Sequence, residues 1–324
     1  MGKIKISGGF SHLKLLLLKY KSVFVVYDRN VGSYVDKITT SKPRLAIQAD
    51  EEHKTMDTVL QICRWLLSEG ADRKSLVLAV GGGVTTDVAG FAAGIFKRGI
   101  AYANVPTTLL AMVDAGIGGK TGVNLDGSKN QLGLIRQPEF TYICTQCLST
   151  LPEREIRSGA AEMLKTFIIK DEGNYNKTLK LLSGPFDAAL AEPLIEAAAK
   201  VKSSIVKKDE FETGRRRVLN LGHTYGHAIE CWERGNDVAE PHTHGEAVAI
   251  GIVRAAMKSE ALGVAKAGLA EKIKSDFRYC GLPTELPCED SELQKAIRQD
   301  KKSEDGKINF VLIKDIGDVT IKKI

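Results

Sequence analysis

The residues Leu76-Val-Leu-Ala-Val80 form an unbroken apolar run that enters Gly81-Gly82-Gly83, and helix-compatible sequence follows from Thr85 to Phe96. A strand without alternation has both faces buried, which is the situation of a parallel sheet covered by helices. The pattern recurs on either side. Ser22 to Tyr27 reads as a short apolar strand ending at Asp28, with Asn30 just beyond, and Thr55 to Leu67 has helical periodicity up to Glu69-Gly70. Tyr102 to Val105 reads as another strand, closed by Pro106. Alternating strands and helices predict a parallel α/β sheet. Glycines permit positive φ or close backbone approach, and a helix N-terminus offers unpaired N–H groups to an anion. The turn is not G-x-G-x-x-G, so it fits a phosphate or pyrophosphate site and a plain tight turn equally well.

The character changes after Leu151-Pro152. Residues 153–170, 187–208, 218–233, 246–262, 265–280 and 291–299 all read as helices, and only 308–313 and 319–321 look extended. A chain of 324 residues suits two domains. The expected division is 1–150, an α/β nucleotide-binding domain with a parallel sheet, and 151–324, a mainly α-helical domain.

With 43% hydrophobic and 27% charged residues the chain is expected to be globular. Its formal charge of +6 favours anionic ligands, but no dense basic run interleaved with aromatics marks a nucleic-acid surface. No apolar run approaches the roughly 20 residues of a membrane span. Leu15 to Leu18 is short and flanked by Lys14, Lys19 and Lys21, and the first residues lack the apolar core of a signal peptide. The six cysteines include one C-x-x-C, Cys144 and Cys147, with no second pair to complete a zinc ribbon. A cytoplasmic enzyme is expected.

Four of the six histidines fall between positions 223 and 244. If 218–231 is helical, Asn220, His223 and His227 occupy i, i+3 and i+7 and share one face. Imidazole is both a common metal ligand and a proton carrier near neutral pH. The cluster therefore reads as a metal-centred site, against the alternative of partly buried helical histidines satisfied by carbonyls. Glu162 and Lys165, i and i+3, form either an exposed ion pair or part of that site, and the small Gly159-Ala-Ala161 beside them points to close packing. A carboxylate with two imidazoles is a catalytic-zinc ligand set with one position left open. The glycine-rich stretch Asp114 to Asn130 carries Lys120, Lys129 and Asn130 and reads as a loop able to cradle a phosphate. It lacks the Walker spacing, since Ala115 stands where that motif has glycine.

Several motifs then appear in one order: GGGVTTDVAGFAAGIFKRG, VPTTLLAMVDAGIGGKTGVN, GSKN, TLPEREIRSGAAEMLK, DEFETGRRRVLNLGHTYGHAIE and HGEAVAIG. Together they resemble the 3-dehydroquinate synthases, of the sugar-phosphate cyclase family, from about Val25 to the C-terminus. The resemblance implies an NAD-binding first domain and a second domain that binds metal and substrate. It implies Glu162, His223 and His244 as ligands of a divalent ion, zinc or cobalt. His242 is the rival for the third place, and the HGEAV context favours His244. Asp28, Asn30, Glu51, Lys54, Gly82, Gly83, Val84, Asp87, Thr107, Thr108, Lys120, Lys129 and Thr150 correspond to positions contacting NAD. Substrate positions correspond to Asp114, Lys120, Asn130, Lys165, Lys202, Arg216, Asn220, His227 and a lysine of Asp300-Lys301-Lys302, here taken as Lys301. Arg98 matches an arginine that reaches the substrate phosphate in a neighbouring subunit, which implies a homodimer.

The activity so implied converts 3-deoxy-D-arabino-heptulosonate 7-phosphate into 3-dehydroquinate and phosphate, a step of the shikimate route to aromatic amino acids. NAD takes a hydride and later returns it. In between, phosphate leaves by β-elimination, and ring opening with aldol closure completes the sequence. The alternatives are another sugar-phosphate cyclase and a metal- and NAD-dependent polyol dehydrogenase. Two departures from the family pattern stand out. The chain begins close to its first nucleotide-binding strand, so a shortened N-terminal strand pair is expected. The turn also reads Gly-Gly-Gly-Val-Thr-Thr-Asp, where the family commonly has another glycine before the aspartate.

Overall fold

The computed structural model describes residues 2–300 and 309–324. The chain divides into two compact units, Met1–Leu151 and Pro152–Ile324. In the first, the elements run β1 (Lys3–Ser7), α1 (Ser11–Leu17), β2 (Val23–Asp28), α2 (Gly32–Ile38), β3 (Arg44–Ile47), α3 (Met56–Ser68), β4 (Leu76–Gly81), α4 (Gly83–Ile95), β5 (Ala101–Pro106), β6 (Lys120–Leu125), β7 (Ser128–Ile135) and β8 (Phe140–Cys144). Six strands form one sheet in the order β1-β8-β5-β4-β2-β3, with every pairing parallel. This is the α/β architecture expected from the unbroken apolar strands. All six residues of β4 are buried, and Val25, Leu78 and Ala103 lie in register across β2, β4 and β5.

Helical periodicity places the covering layer. Val59, Ile62 and Leu66 of α3, with Val88, Ala89 and Ala92 of α4, pack on Phe24, Val26, Val77 and Ala79. The Thr55 side chain accepts from the Thr58 N–H and starts α3. Chain order reverses between β2 and β4: β3 lies on one side of β2 and β4 on the other. In open α/β sheets the crevice at the carboxyl ends of such a strand pair is where ligands bind.

Several elements of this unit were not expected from the sequence. β1 adds a parallel edge strand beside β8, and β3, α1 and α2 are short. The expected loop 114–130 is a π-helical turn at Ala111–Ala115 followed by the antiparallel hairpin β6–β7. Glycine obscured the hairpin by diluting its alternation. Gly122 and Gly133 face one another so closely that a Cβ on Gly133 would stand 2.2 Å from the Thr121 carbonyl oxygen.

The second unit contains α5 (Glu153–Lys170), α6 (Glu172–Leu182), α7 (Ala188–Lys208), α8 (His223–Gly235), α9 (His244–Ala261), α10 (Leu269–Tyr279), α11 (Asp290–Asp300) and the antiparallel pair β9 (Asn309–Asp315) and β10 (Asp318–Lys323). Tyr225 and Ile229 of α8, Ala247 and Ile250 of α9, and Phe310 and Leu312 of β9 form a buried cluster with Leu293 and Ile297 of α11. The helix expected over 218–233 starts five residues late. Residues Arg215–Asn220 form a separate 3-10 turn, and Gly222, at φ +81°, precedes α8. α9 starts at His244 rather than 246 because the Thr243 side chain caps the Glu246 N–H, with Glu246 capping in return. No described helix is long and apolar enough to cross a membrane.

Leu78 is fully buried in the central strand, so Leu78→Ala is expected to cost about 2–5 kcal/mol in denaturant unfolding. Leu15→Ala, at a 64% exposed position, is expected to shift stability by no more than about 0.5 kcal/mol in the same measurement.

Candidate functional site

Three helices of the second unit converge on one carboxylate. Glu162, in the middle of α5, has a fully buried side chain, and its Oε2 is ion-paired with Lys165, itself 1% exposed one turn later. Its Oε1 is buried and accepts no hydrogen bond from the described residues. That oxygen faces the Nε2 of His244 at 3.5 Å and the Nε2 of His223 at 3.9 Å. One ligand atom from each of the three residues lies within 4.8 Å of the others. A tetrahedral ion with bonds of about 2.0–2.2 Å sets its ligand atoms roughly 3.3–3.6 Å apart, so the donors need move little to embrace one.

The second nitrogen of each imidazole is also engaged. His223 Nδ1 lies 3.2 Å from the Leu221 carbonyl oxygen, and His244 Nδ1 lies 3.1 Å from Glu230 Oε1. Donation from both Nδ1 atoms would leave each Nε2, once free of a proton, with its lone pair turned toward Glu162, as metal-binding histidines require. Burial opposes a charge on His244, but the Glu162 and Glu230 carboxylates outweigh it and raise its pKa to about 9. The cluster thus favours positive charge at its centre. An unsatisfied buried oxygen, two oriented imidazoles and this bias all fit a divalent cation.

Backbone contacts between helices bring these side chains together. A Cβ on Gly245 would stand 1.9 Å from the Ser158 carbonyl oxygen of α5, and one on Gly251 would stand 2.0 Å from the Gly222 carbonyl oxygen. Helix α9 therefore presses on α5 one turn before Glu162 and on the start of α8 beside His223. The loop between α8 and α9 is pinned as well. Arg154 donates to both Glu246 carboxylate oxygens and to the Pro241 carbonyl, and Glu233 accepts from the His242 backbone and pairs with its ring. The His242 ring is engaged by Glu233 of α8 and is not part of the Glu162 cluster.

His227 follows His223 by one turn on α8, exposed, with ring centroids 5.2 Å apart. Asn220 does not share their face, which corrects the i, i+3, i+7 expectation. It sits before Gly222, whose left-handed backbone separates the two segments, and its Nδ2 donates to Glu212 Oε1 at 2.7 Å. Lys202 on α7 and Arg216 are buried cations. Asp209 organises the turn before Arg216, accepting from the backbone N–H groups of Arg216, Gly214 and Thr213. Those donors, the Arg216 N–H foremost, lower its carboxyl pKa to about 2. Lys301 lies outside the described residues.

In the first unit, Asp28 ends β2 and its Oδ1 accepts from the Asn30 N–H at 2.9 Å. Gly82 and Gly83 follow β4 and carry Val84 and Asp87 into α4, while Thr107 and Thr108 follow β5. None of the three turn glycines has positive φ. Close approach is what requires them: a Cβ on Gly81 would stand 2.3 Å from Thr85 Oγ1, and one on Gly82 would stand 3.1 Å from a Thr108 methyl. Lys54, 6% exposed, joins Asp87 Oδ2 at 2.7 Å and Asn130 Oδ1 at 2.6 Å. Asn124 extends the network from the Asn130 N–H to Glu51 Oε1. Asp114 is half-buried in the π-helical turn, and Lys120, exposed, opens β6. Lys129 lies beside Asn130 on β7. Thr150 Oγ1 meets Tyr34 Oη at 2.9 Å. Arg98 is exposed and held at φ +66°.

The profile of the 3-dehydroquinate synthase N-terminal family matches residues 44–158, and that of the C-terminal family matches 159–303. The chain belongs to the 3-dehydroquinate synthase family. A 3-dehydroquinate synthase of Acidithiobacillus ferrooxidans is 42% identical over 314 residues, covering 92% of this chain and 84% of that protein. The 2-epi-5-epi-valiolone synthase ValA from Streptomyces hygroscopicus subsp. jinggangensis 5008, solved with NAD+ and Zn2+ bound, superposes with TM-score 0.89 at 27% identity. That match spans 100% of this chain and 93% of the other. A 2-deoxy-scyllo-inosose synthase, complexed with carbaglucose-6-phosphate, NAD+ and Co2+, gives TM-score 0.85 at 27% identity, over 99% and 93% of the two chains.

Within this dehydroquinate synthase fold, Glu212, Asn124 and Glu230 touch the candidate residues but do not stand out in the sequence. All three lie inside the quoted motifs, but none carries a local pattern that would single it out. Gly251→Ala is expected to force α9 away from α8 and to cost about 1–3 kcal/mol in urea denaturation. The same substitution should weaken divalent-ion binding in a calorimetric titration. Full retention of both stability and binding would contradict the glycine-contact account.

Proposed function

We propose that the chain catalyses the 3-dehydroquinate synthase reaction, converting 3-deoxy-D-arabino-heptulosonate 7-phosphate into 3-dehydroquinate and phosphate. The observation that carries this reading is the buried, unsatisfied Glu162 oxygen faced by two oriented imidazoles, in a chain of that family. Glu162, His223 and His244 would hold the divalent ion, zinc or cobalt. When bound, the metal supplies Lewis acidity toward a substrate oxygen, and NAD supplies a hydride acceptor regenerated within each turnover.

The chain's own groups do the binding and proton handling. Lys165, Lys202 and Arg216 are buried cations suited to an anionic sugar acid, and the guanidinium fork suits bidentate binding of its carboxylate. Asp209 and the Glu210 carbonyl hold Arg216 in place. His227 moves a proton at its ring nitrogen and, with Asn220, binds the substrate phosphate; Lys301 is a further substrate contact. In the first unit Lys120 and Asn130 donate to the substrate phosphate, and Asp114 contacts the substrate. Asp28, Asn30, Glu51, Lys54, Gly82, Gly83, Val84, Asp87, Thr107, Thr108, Lys120, Lys129 and Thr150 contact the dinucleotide. Support for that assignment comes from the carboxyl ends of β2, β4 and β5, where the sheet reverses its chain order. Arg98 reaches the substrate phosphate of a second copy in a homodimer. On this reading residues 1–150 are the NAD-binding domain and 151–324 the metal- and substrate-binding domain.

Incubation with the heptulosonate phosphate, NAD and Zn2+ or Co2+ is expected to release phosphate without net NADH. A chelator should abolish the release and fresh metal should restore it. No release from the metal-replete, NAD-supplied protein would sink the assignment. His223→Ala is expected to lose bound metal. His227→Ala should keep it while kcat falls about 100- to 10,000-fold, the range of a lost proton-transfer group; the reverse pattern would overturn the division of roles.

A further inference from the structure

The two imidazoles facing Glu162 are oriented by different chemistry. His223 uses a neutral backbone carbonyl, that of Leu221, two residues earlier in its own chain segment. His244 uses Glu230, a carboxylate on the neighbouring helix, at 3.1 Å from its Nδ1. The Glu230 side chain is only 8% exposed, whereas the His244 side chain is 32% exposed. A carboxylate that deeply buried is costly unless its oxygens are engaged. Glu230 lies seven residues after His223 along α8, while His244 opens α9. One hydrogen bond therefore joins the two helices about two turns from their backbone contact at Gly222 and Gly251.

From this geometry we propose that Glu230 is a positioning residue for the metal centre, acting through His244. Glu230 is no ligand: it meets the Nδ1 edge of the ring, whereas the cluster is formed by the Nε2 edge with Glu162 and His223. Its hydrogen bond fixes the tautomer that carries hydrogen on Nδ1, so the Nε2 lone pair is presented toward Glu162. Its negative charge, held close in a poorly solvated place, makes that lone pair a stronger donor. His244 therefore binds the ion more strongly through Glu230 than its imidazole alone would. The inference rests on the assignment of Glu162, His223 and His244 as metal ligands.

The test measures Co2+ binding by competition with a chelating indicator and by the visible spectrum of the bound ion, with no substrate present. Glu230→Ala removes the acceptor and the charge, and affinity is expected to fall about 10- to 100-fold. Glu230→Gln keeps size and one acceptor oxygen, so a smaller loss is expected, with an altered cobalt spectrum from the changed His244 donor. Thermal unfolding of the metal-free Gln variant should match the parent. Parental affinity and spectrum in Glu230→Gln, with His223→Ala devoid of metal, would overturn the role of Glu230 and leave the metal assignment standing. A matching fall in metal-free stability would assign Glu230 to packing and also overturn it. Retention of Co2+ by His223→Ala would instead remove the ligand assignment, and this inference with it. Should Glu230→Ala fail to fold, the Gln variant alone decides.

Discussion

Close backbone contact between α9 and its two neighbours is the constraint on which the rest of the second unit depends. Gly245 lies against the Ser158 carbonyl and Gly251 against the Gly222 carbonyl, at separations that leave no room for a side chain. Helices with ordinary side chains at the contact pack about 8–10 Å apart; glycine removes that spacer. Glu162 is one turn from the first contact, His223 is next to the second, and His244 opens the helix that makes both. The cluster is therefore a consequence of helix spacing. Its charge balance adds a second layer, with one buried carboxylate shared between Lys165 and the imidazoles.

The first unit reaches its candidate site by a different route. The parallel sheet sends the ends of β2, β4 and β5 to one edge, and the change of direction between β2 and β4 opens a crevice there. The hairpin β6–β7 adds Asn124 and Asn130, which a Lys54-centred network ties to α4 and to Glu51. Lys54 is nearly buried and shares its ammonium between a carboxylate and an amide, so it bridges three chain segments. Rigid strands set the positions, and polar contacts among the loops refine them.

How legible this was varied from residue to residue. The sheet was readable because β4 is apolar throughout and β2 and β5 nearly so, and that pattern needs no knowledge of neighbours. The hairpin was hidden, since Gly122 and Gly133 interrupt the alternation that would have shown it. Helix α8 was placed too early because Val218 and Leu219 continue an apolar pattern. Gly222 stops the helix for a reason that lies on α9, where Val248 and Ile252 crowd any Cβ. Asn220 consequently left the histidine face and joined Glu212. Glu230 and Asn124 sit at the ends of two of the motifs but could not be assigned a role, because each matters only through a partner brought to it from another element.

By itself, then, the sequence determined the element types, the parallel α/β character of the first unit and the donor atoms that Glu162, His223 and His244 offer. Those follow from local periodicity, from the run of motifs and from the donor atoms each side chain carries. Tertiary structure alone decided that His242 turns to Glu233 while His244 turns to Glu162, and that one imidazole is backed by a carbonyl and the other by a carboxylate. The two histidines are separated by a single residue. Which of them faces the carboxylate depends on where Thr243 caps α9 and how closely Gly245 meets α5, and both are set by packing between distant segments.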